Sequence, residues 1–341
     1  MSLELLRDRW AGLDVAALVD GNRLMDVAAD IPGQSNLYNS LWRVKIDRIL
    51  PKVGAFARLG IDRTGLLKAA NVRSGDQVTV QVRSVRGEGK ADILSTDLAF
   101  AGQRFIYLPL SAGIKSSRRQ GSPGGTEQAI DSLTRAGIEG GIIRSTGLED
   151  GTDVLVAEAM ALQADWQLLQ SSSAIGLLRD GPDAAARLIA DHAGDAIVQV
   201  GATFEQRGFQ HALERLRQPR VDLGKGGWLM IERTSALTAI DVNTGTGSTA
   251  EINAMAAREI AHQIRLRNLS GLIVVDFTAP GPRHKGDGLF QALQKALSPD
   301  PAGCRIAGIT PSGLVEITRP RRWPPLAELL ETAARMGTLT A

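Results

Sequence analysis

Residues 237–277 read LTAIDVNTGTGSTAEINAMAAREIAHQIRLRNLSGLIVVDF, and the meaning of the whole chain turns on them. The stretch opens with a strand-like run, residues 237–242. That run ends in an acid and an amide, Asp241 and Asn243, before a Gly/Thr loop. Ser248 followed three residues later by Glu251 has the form of a capping box, and Ile252, Met255, Ala256, Ile260 and Ile264 recur at helical spacing. Asn268-Leu269-Ser270-Gly271 stops the helix. Residues 272–275 are an unbroken aliphatic run, the pattern of a strand buried on both faces, and the run ends in Asp276.

A strand, a helix of crossover length and a second strand form a βαβ unit, whose strands are parallel and whose carboxyl ends open on the same side. If the two strands are neighbours they lie about 4.8 Å apart. Asp241 and Asp276 can then hold one small divalent cation between them. Magnesium, with manganese as a substitute, suits such a pair, because it takes one or two carboxylates and completes its shell with water and phosphate oxygens. Asn243 adds an uncharged amide beside the ion. The competing reading is that each Asp merely caps the loop after its strand.

The segments AIDVNTG (239–245), IAHQIRLRNLSGLIVVDF (260–277) and SGLVEITRPR (312–321) resemble the catalytic segment of the ribonuclease E/G family, whose paired strands carry a metal-dependent endoribonuclease site. The resemblance implies an α+β protein of several subdomains. Residues 1–35 and a shortened 171–218 would form a ribonuclease-H-like subdomain, with an OB-fold RNA-binding barrel inserted at 36–96. A 5′-sensor region would follow at 97–170, and a deoxyribonuclease-I-like α/β catalytic subdomain at 219–341. Asp241, Asn243 and Asp276 would be catalytic, with Asp241 and Asp276 as metal ligands.

Residue patterns accompany each of these regions. AALVDGNRLMDVAAD is apolar alternation around an Asp-Gly turn, a β-hairpin. Residues 36–96 hold short β-rich runs separated by Gly, Asn and Asp with almost no helical period, which suggests a small barrel. In the family an aromatic platform and a lysine on this barrel grip single-stranded RNA, and Phe56 and Lys90 match those places. Leu66 replaces the family's second phenylalanine, so the resemblance implies a weaker grip, because a leucine packs against a base without stacking on it. Phe56 also reads as ordinary barrel core.

The 5′-sensor is carried over in the same way. Arg144 and Ser145 match the arginine and hydroxyl that read a terminal monophosphate, Gly102 and Ile106 match the floor of the pocket, and Arg118 and Arg119 match a nearby arginine pair. An arginine suits that task because its planar fork makes paired, charge-assisted bonds to phosphate. Arg144 could instead pair with an internal carboxylate. Helical patterns cover residues 125–136, 153–170, 183–192 and 288–297. After Asp276 the family continues with an Asp-Met pair where this chain has Thr278-Ala279-Pro280, which removes a carboxylate beside the ligand pair.

Composition limits the alternatives. The chain has 341 residues, 43% hydrophobic, enough for several compact units, and 39 basic against 37 acidic residues give a net charge of only +2. Phosphate affinity must therefore come from local clusters: Arg118-Arg119, Arg265 with Arg267, Arg283 to Lys285 and Arg319 to Arg322. Arg283 and Lys285 are candidates to steady an RNA backbone, and solvated surface charge explains them equally well. Cys304 is the only cysteine, so an intrachain disulfide or a multi-cysteine zinc site is excluded. No zinc is expected, since the family's Cys-Pro-x-Cys link between protomers is absent, and a homodimer would have to form without it. No apolar run is long enough to span a bilayer and the start does not read as a signal peptide, so a cytoplasmic location is expected.

The resemblance, across nearly the whole chain, implies a magnesium-dependent endoribonuclease of single-stranded RNA that leaves 5′-phosphate and 3′-hydroxyl ends and favours 5′-monophosphorylated substrates. A catalytically weakened or inactive RNA-binding protein of the same fold is the rival. A small-molecule phosphodiesterase would give the barrel nothing to do.

Overall fold

The computed structural model describes residues 3–60, 63–68, 71–87, 89–117, 123–145, 147–192, 197–278 and 281–337. The chain divides into two compact units, Met1–Gly33 with Ile197–Ala341, and Gln34–Ala196.

In the unit Gln34–Ala196, alternation of apolar and polar residues builds a barrel. Leu41–Leu50, Gly54–Leu59, Arg63–Leu67, Asp92–Ser95 and Gln77–Ser84 pair in succession, and Gln77–Ser84 returns to pair with Leu41–Leu50. This closed five-strand barrel is consistent with an OB fold, and closure removes the exposed strand edges that a flat sheet would leave. Val44, Ile46, Ala57, Leu67, Val80, Val82 and Leu94 fill its interior. Gly176–Arg179 adds to Leu41–Leu50 as a further strand. A second, four-stranded sheet in this unit runs Gly113–Ser116, Gly140–Ile143, Phe105–Tyr107, Phe100–Ala101. Helices Pro123–Arg135 and Thr152–Ser171 share a core with it around Phe105, Leu133, Ile143 and Leu155. The short helix Ala184–Asp191 is capped by Asp183, whose carboxylate accepts the Ala186 N–H at 2.7 Å.

In the other unit the Asp-Gly hairpin is present as Leu13–Asp20 against Arg23–Asp30. Leu3–Trp10 joins it, and Ile197–Val200 completes the sheet by pairing in parallel with Leu3–Trp10. Residues 171–218 are thus divided, with Gly176–Arg179 on the barrel and Ile197–Val200 on this sheet.

A six-stranded sheet occupies the rest of this unit, in the order Arg220–Gly224, Gly227–Arg233, Thr238–Asn243, Gly271–Asp276, Val315–Arg319, Arg305–Ile309. The pair Thr238–Asn243 and Gly271–Asp276 is parallel, and the remaining neighbours in the sheet are antiparallel. The crossover helix Thr249–Leu266 joins the parallel strands. It packs with helix Gly288–Leu297 over one core of Leu229, Ile240, Val242, Ile260, Ile273, Val275 and Leu293. Cys304 is buried at the edge of the same core.

Two local expectations are corrected. Gly271–Asp276 is not buried on both faces: Ile273 and Val275 are buried, whereas Leu272 and Val274 are half-buried, because the helices share the core of one face. Ser248 does stand at the start of the crossover helix, but its side chain makes no capping bond, and Glu251 turns to Lys225 in an ion pair. The capping box is absent because a cation lies within reach of Glu251.

Candidate functional site

The parallel ladder places Asp241 level with Asp276. Partners at the same level of parallel strands project their side chains to the same face, and both acids are exposed on the face opposite the helix-packed core. Asn243, two residues along the strand, shares this face, and its Nδ2 donates to Asp241 Oδ2 at 2.8 Å. The turn that follows depends on Gly245, at φ +53°, where a Cβ would meet the Gly226 carbonyl oxygen at 2.1 Å.

A cleft of about 660 Å³ opens over the acids. Asp241 and Asp276 line its floor, Arg283 one part of its wall, and Thr310 and Ser312 another. The Thr310 and Ser312 hydroxyls bond each other at 2.8 Å, and Thr310 Oγ1 accepts the Leu314 N–H at 3.0 Å, which shapes the turn between the last two strands. The loop carrying Arg283 is pinned by Asp287, which accepts the backbone N–H groups of Arg283 and His284 and pairs with His284 Nε2 at 2.9 Å. Those bonds, the Arg283 N–H first, hold the Asp287 carboxyl below the usual carboxylate range. Lys285 is exposed in the same loop but does not line the cleft.

Sequence reasoning noted Thr278 only as a departure from the family pattern and passed over Asn253. The Thr278 hydroxyl donates to the Val242 carbonyl at 2.6 Å, and the Thr278 carbonyl accepts from Asn253 Nδ2 at 2.9 Å. An amide beside Ile252 on the buried stripe of the crossover helix was the available signal, since a buried polar group implies a bonded partner.

The basic clusters fare unequally. Arg267 is buried, donates to the Gln218 carbonyl at 2.7 Å, and is pushed down to about 10 by burial. Arg319 is buried against Asp300 at 2.7 Å, and Arg321 pairs with Glu328 at 2.6 Å. These arginines hold the fold together and are not a phosphate surface. Arg283 and Lys285 remain exposed.

On the barrel, Phe56 is half-buried and faces outward, since its strand neighbours Ala55 and Ala57 are the ones in the core. It stands level with Arg48 on one side and Leu66 on the other, and Leu66 stands level with Ile93. The Arg48 guanidinium lies 5.1 Å from the Phe56 ring centroid. Lys90 is exposed in the turn before Asp92–Ser95, and its backbone N–H donates to the Gly87 carbonyl at 3.1 Å.

Among the residues matched to a 5′-sensor, Arg144 donates to the Gly102 carbonyl at 3.4 Å and to the Ala190 carbonyl. Burial lowers its pKa, opposed by the charges of Asp191 and Glu158. A Cβ at Gly102 would meet Glu158 Oε1 at 2.1 Å. Ile106 is level with Ile142 on the neighbouring strand, and Ser145 is half-buried just past Arg144. Arg118 and Arg119 lie outside the described residues.

The model of the ribonuclease E/G family matches residues 197–322, the span that holds the two acids and the cleft. Ribonuclease E of Haemophilus influenzae is 29% identical over 92% of this chain and 41% of its own length. Ribonuclease E of a Nostoc species is 29% identical over 82% of this chain and 48% of its own. Ribonuclease G of Salmonella typhimurium is 24% identical over 94% of this chain and 80% of its own. The chain therefore spans less than half of these ribonuclease E relatives and most of the ribonuclease G one.

Proposed function

We propose that the chain, similar to the ribonuclease E/G family over its C-terminal part, is a member of that family and a metal-dependent endoribonuclease acting on single-stranded RNA in RNA processing or decay. The observation that carries this reading is the register of Asp241 with Asp276 at the floor of one cleft.

The donor set fits magnesium. It offers two carboxylates on one face with an amide bonded to one of them, and leaves the other positions to water and phosphate. Asp241 and Asp276 would hold the ion, and Asn243, bonded to Asp241, would help place the scissile phosphate. When bound, such an ion lowers the pKa of a coordinated water and neutralises charge on the phosphate. Arg283, exposed at the cleft wall, would bind the RNA backbone, and Lys285 would steady the strand from the same loop. In-line attack by water would leave 5′-phosphate and 3′-hydroxyl ends.

Phe56 would stack on a base, with Leu66 and Ile93 extending an apolar strip beside it and Lys90 drawing the backbone in. Arg144 and Ser145, over Gly102 and Ile106 and with Arg118 and Arg119 nearby, would favour a 5′-monophosphate. The Gly102 and Ala190 carbonyls already engage Arg144, so the end phosphate would share this guanidinium with them. We place the protein in the cytoplasm, as a homodimer. No helix among the described residues is long and apolar enough to cross a membrane.

The test is a magnesium or manganese titration with a short AU-rich, 5′-monophosphorylated oligonucleotide. Metal-dependent cuts bearing 5′-phosphates are expected, and binding without cleavage at every metal concentration would overturn the enzyme reading. That outcome would leave a binding protein without turnover, which the replacement of an aromatic by Leu66 beside Phe56 favours.

A further inference from the structure

The parallel ladder has its last register pair at Asp241 and Asp276. Beyond the end of a ladder, strands are free to fray. Here they are tied together. The Thr278 hydroxyl, two residues past Asp276, bonds the carbonyl of Val242, the residue between Asp241 and Asn243, at 2.6 Å. The Thr278 carbonyl is in turn held at 2.9 Å by Asn253 from the crossover helix. One threonine thus links both acid-bearing strands to the helix that connects them.

Asn253 makes the arrangement more than incidental packing. It is 3% exposed, and among the described residues its Oδ1 is buried with no hydrogen-bond partner. An apolar side chain would pack on that helix stripe without a stranded acceptor. The retained amide therefore points to its donor end, the end that grips Thr278.

Magnesium demands near-ideal geometry from its ligands. Two carboxylates on separate strands meet that demand only if the strands keep a fixed separation at that level. We infer, resting on the metal-site reading above, that Thr278 and Asn253 are positioning residues, setting the spacing of Asp241 and Asp276 for one shared cation. They act through the backbone of the ligand strands and not on the ion.

Manganese binding to the full chain, read by loss of the free-ion electron paramagnetic resonance signal, tests this without reference to turnover. The chains compared are wild type, T278V, T278S and D241N. T278V keeps the side-chain shape and removes the hydroxyl, and it should weaken binding by about 10- to 100-fold, the range for groups that orient metal ligands. T278S restores the hydroxyl and should recover most of that loss. If T278V binds as tightly as wild type while D241N is weakened, the positioning role is overturned and the metal site stands. If T278S, which carries the hydroxyl, is as weak as T278V, the hydroxyl bond does not set the affinity and the positioning role is likewise overturned. If D241N binds no more weakly than wild type, the metal-site reading fails and takes this inference with it. Should T278V not melt cooperatively, T278A, which only removes atoms from a half-buried side chain, takes its place with the same outcomes.

Discussion

Asp241 and Asp276 stand level with each other on neighbouring parallel strands, although 34 residues separate them in the chain. Replacing either with asparagine removes a charge from an exposed position and leaves the core untouched. D241N and D276N should each lower cleavage by more than about 100-fold, beyond the usual effect of groups that only orient ligands. RNA binding, measured by fluorescence anisotropy, should stay near wild type. Retained turnover in both variants would remove the metal-site assignment.

Leu66 lies directly across from Phe56 on the outer face of the barrel. Leu66→Phe adds a second π-face to an existing one, and base stacking contributes roughly 1–3 kcal/mol per base. Binding of a single-stranded oligonucleotide should tighten by about tenfold. Phe56→Ala should weaken it by a similar factor. An unchanged Kd in both would show that this face does not meet the bases.

Arg144 holds the Gly102 and Ala190 carbonyls. Arg144→Ala should erase any preference for a 5′-monophosphorylated over a 5′-hydroxyl substrate, and should lower Tm by freeing two carbonyls. A preserved preference alongside a lowered Tm would give Arg144 a structural role only.

The Asp300–Arg319 pair is almost wholly buried, with Arg319 also donating to Asn268 Oδ1 at 2.6 Å. Burial alone would raise the Asp300 pKa, but the hydrogen bonds and charge of Arg319 outweigh it and hold the carboxyl below its ordinary 3.8. A depressed folded-state pKa means that this stability is fully present above that ordinary value and is lost as pH falls through the lower folded one. Urea unfolding of wild type should weaken through that acid window, while Asp300→Asn should be less stable at neutral pH by about 3–5 kcal/mol, the cost of leaving a buried charge unpaired. A wild-type level of stability in that variant would mean that the pair is not needed to hold the sheet to the end of its neighbouring helix.

Much of the candidate site's backbone geometry was legible beforehand because its signals are local. The aliphatic runs before Asp241 and Asp276, and the helical spacing of Ile252, Ala256, Ile260 and Ile264, are properties of short windows and gave the βαβ unit. The barrel was legible for the same reason, from short alternating strands punctuated by turns. Charge was harder to interpret. Arg265 with Arg267 and Arg319 to Arg322 read as surface clusters, yet Arg267 and Arg319 are buried, because their partners Gln218 and Asp300 come from other elements.

Sequence alone thus determined which residue types end the two strands and that a helix must carry the chain between them, since backbone propensity and side-chain period are written residue by residue. Tertiary structure decided that the two acids meet at one level, that Thr278 and Asn253 tie their strands, and which arginines face water. Those outcomes depend on pairing register and packing between distant segments, which no short window encodes.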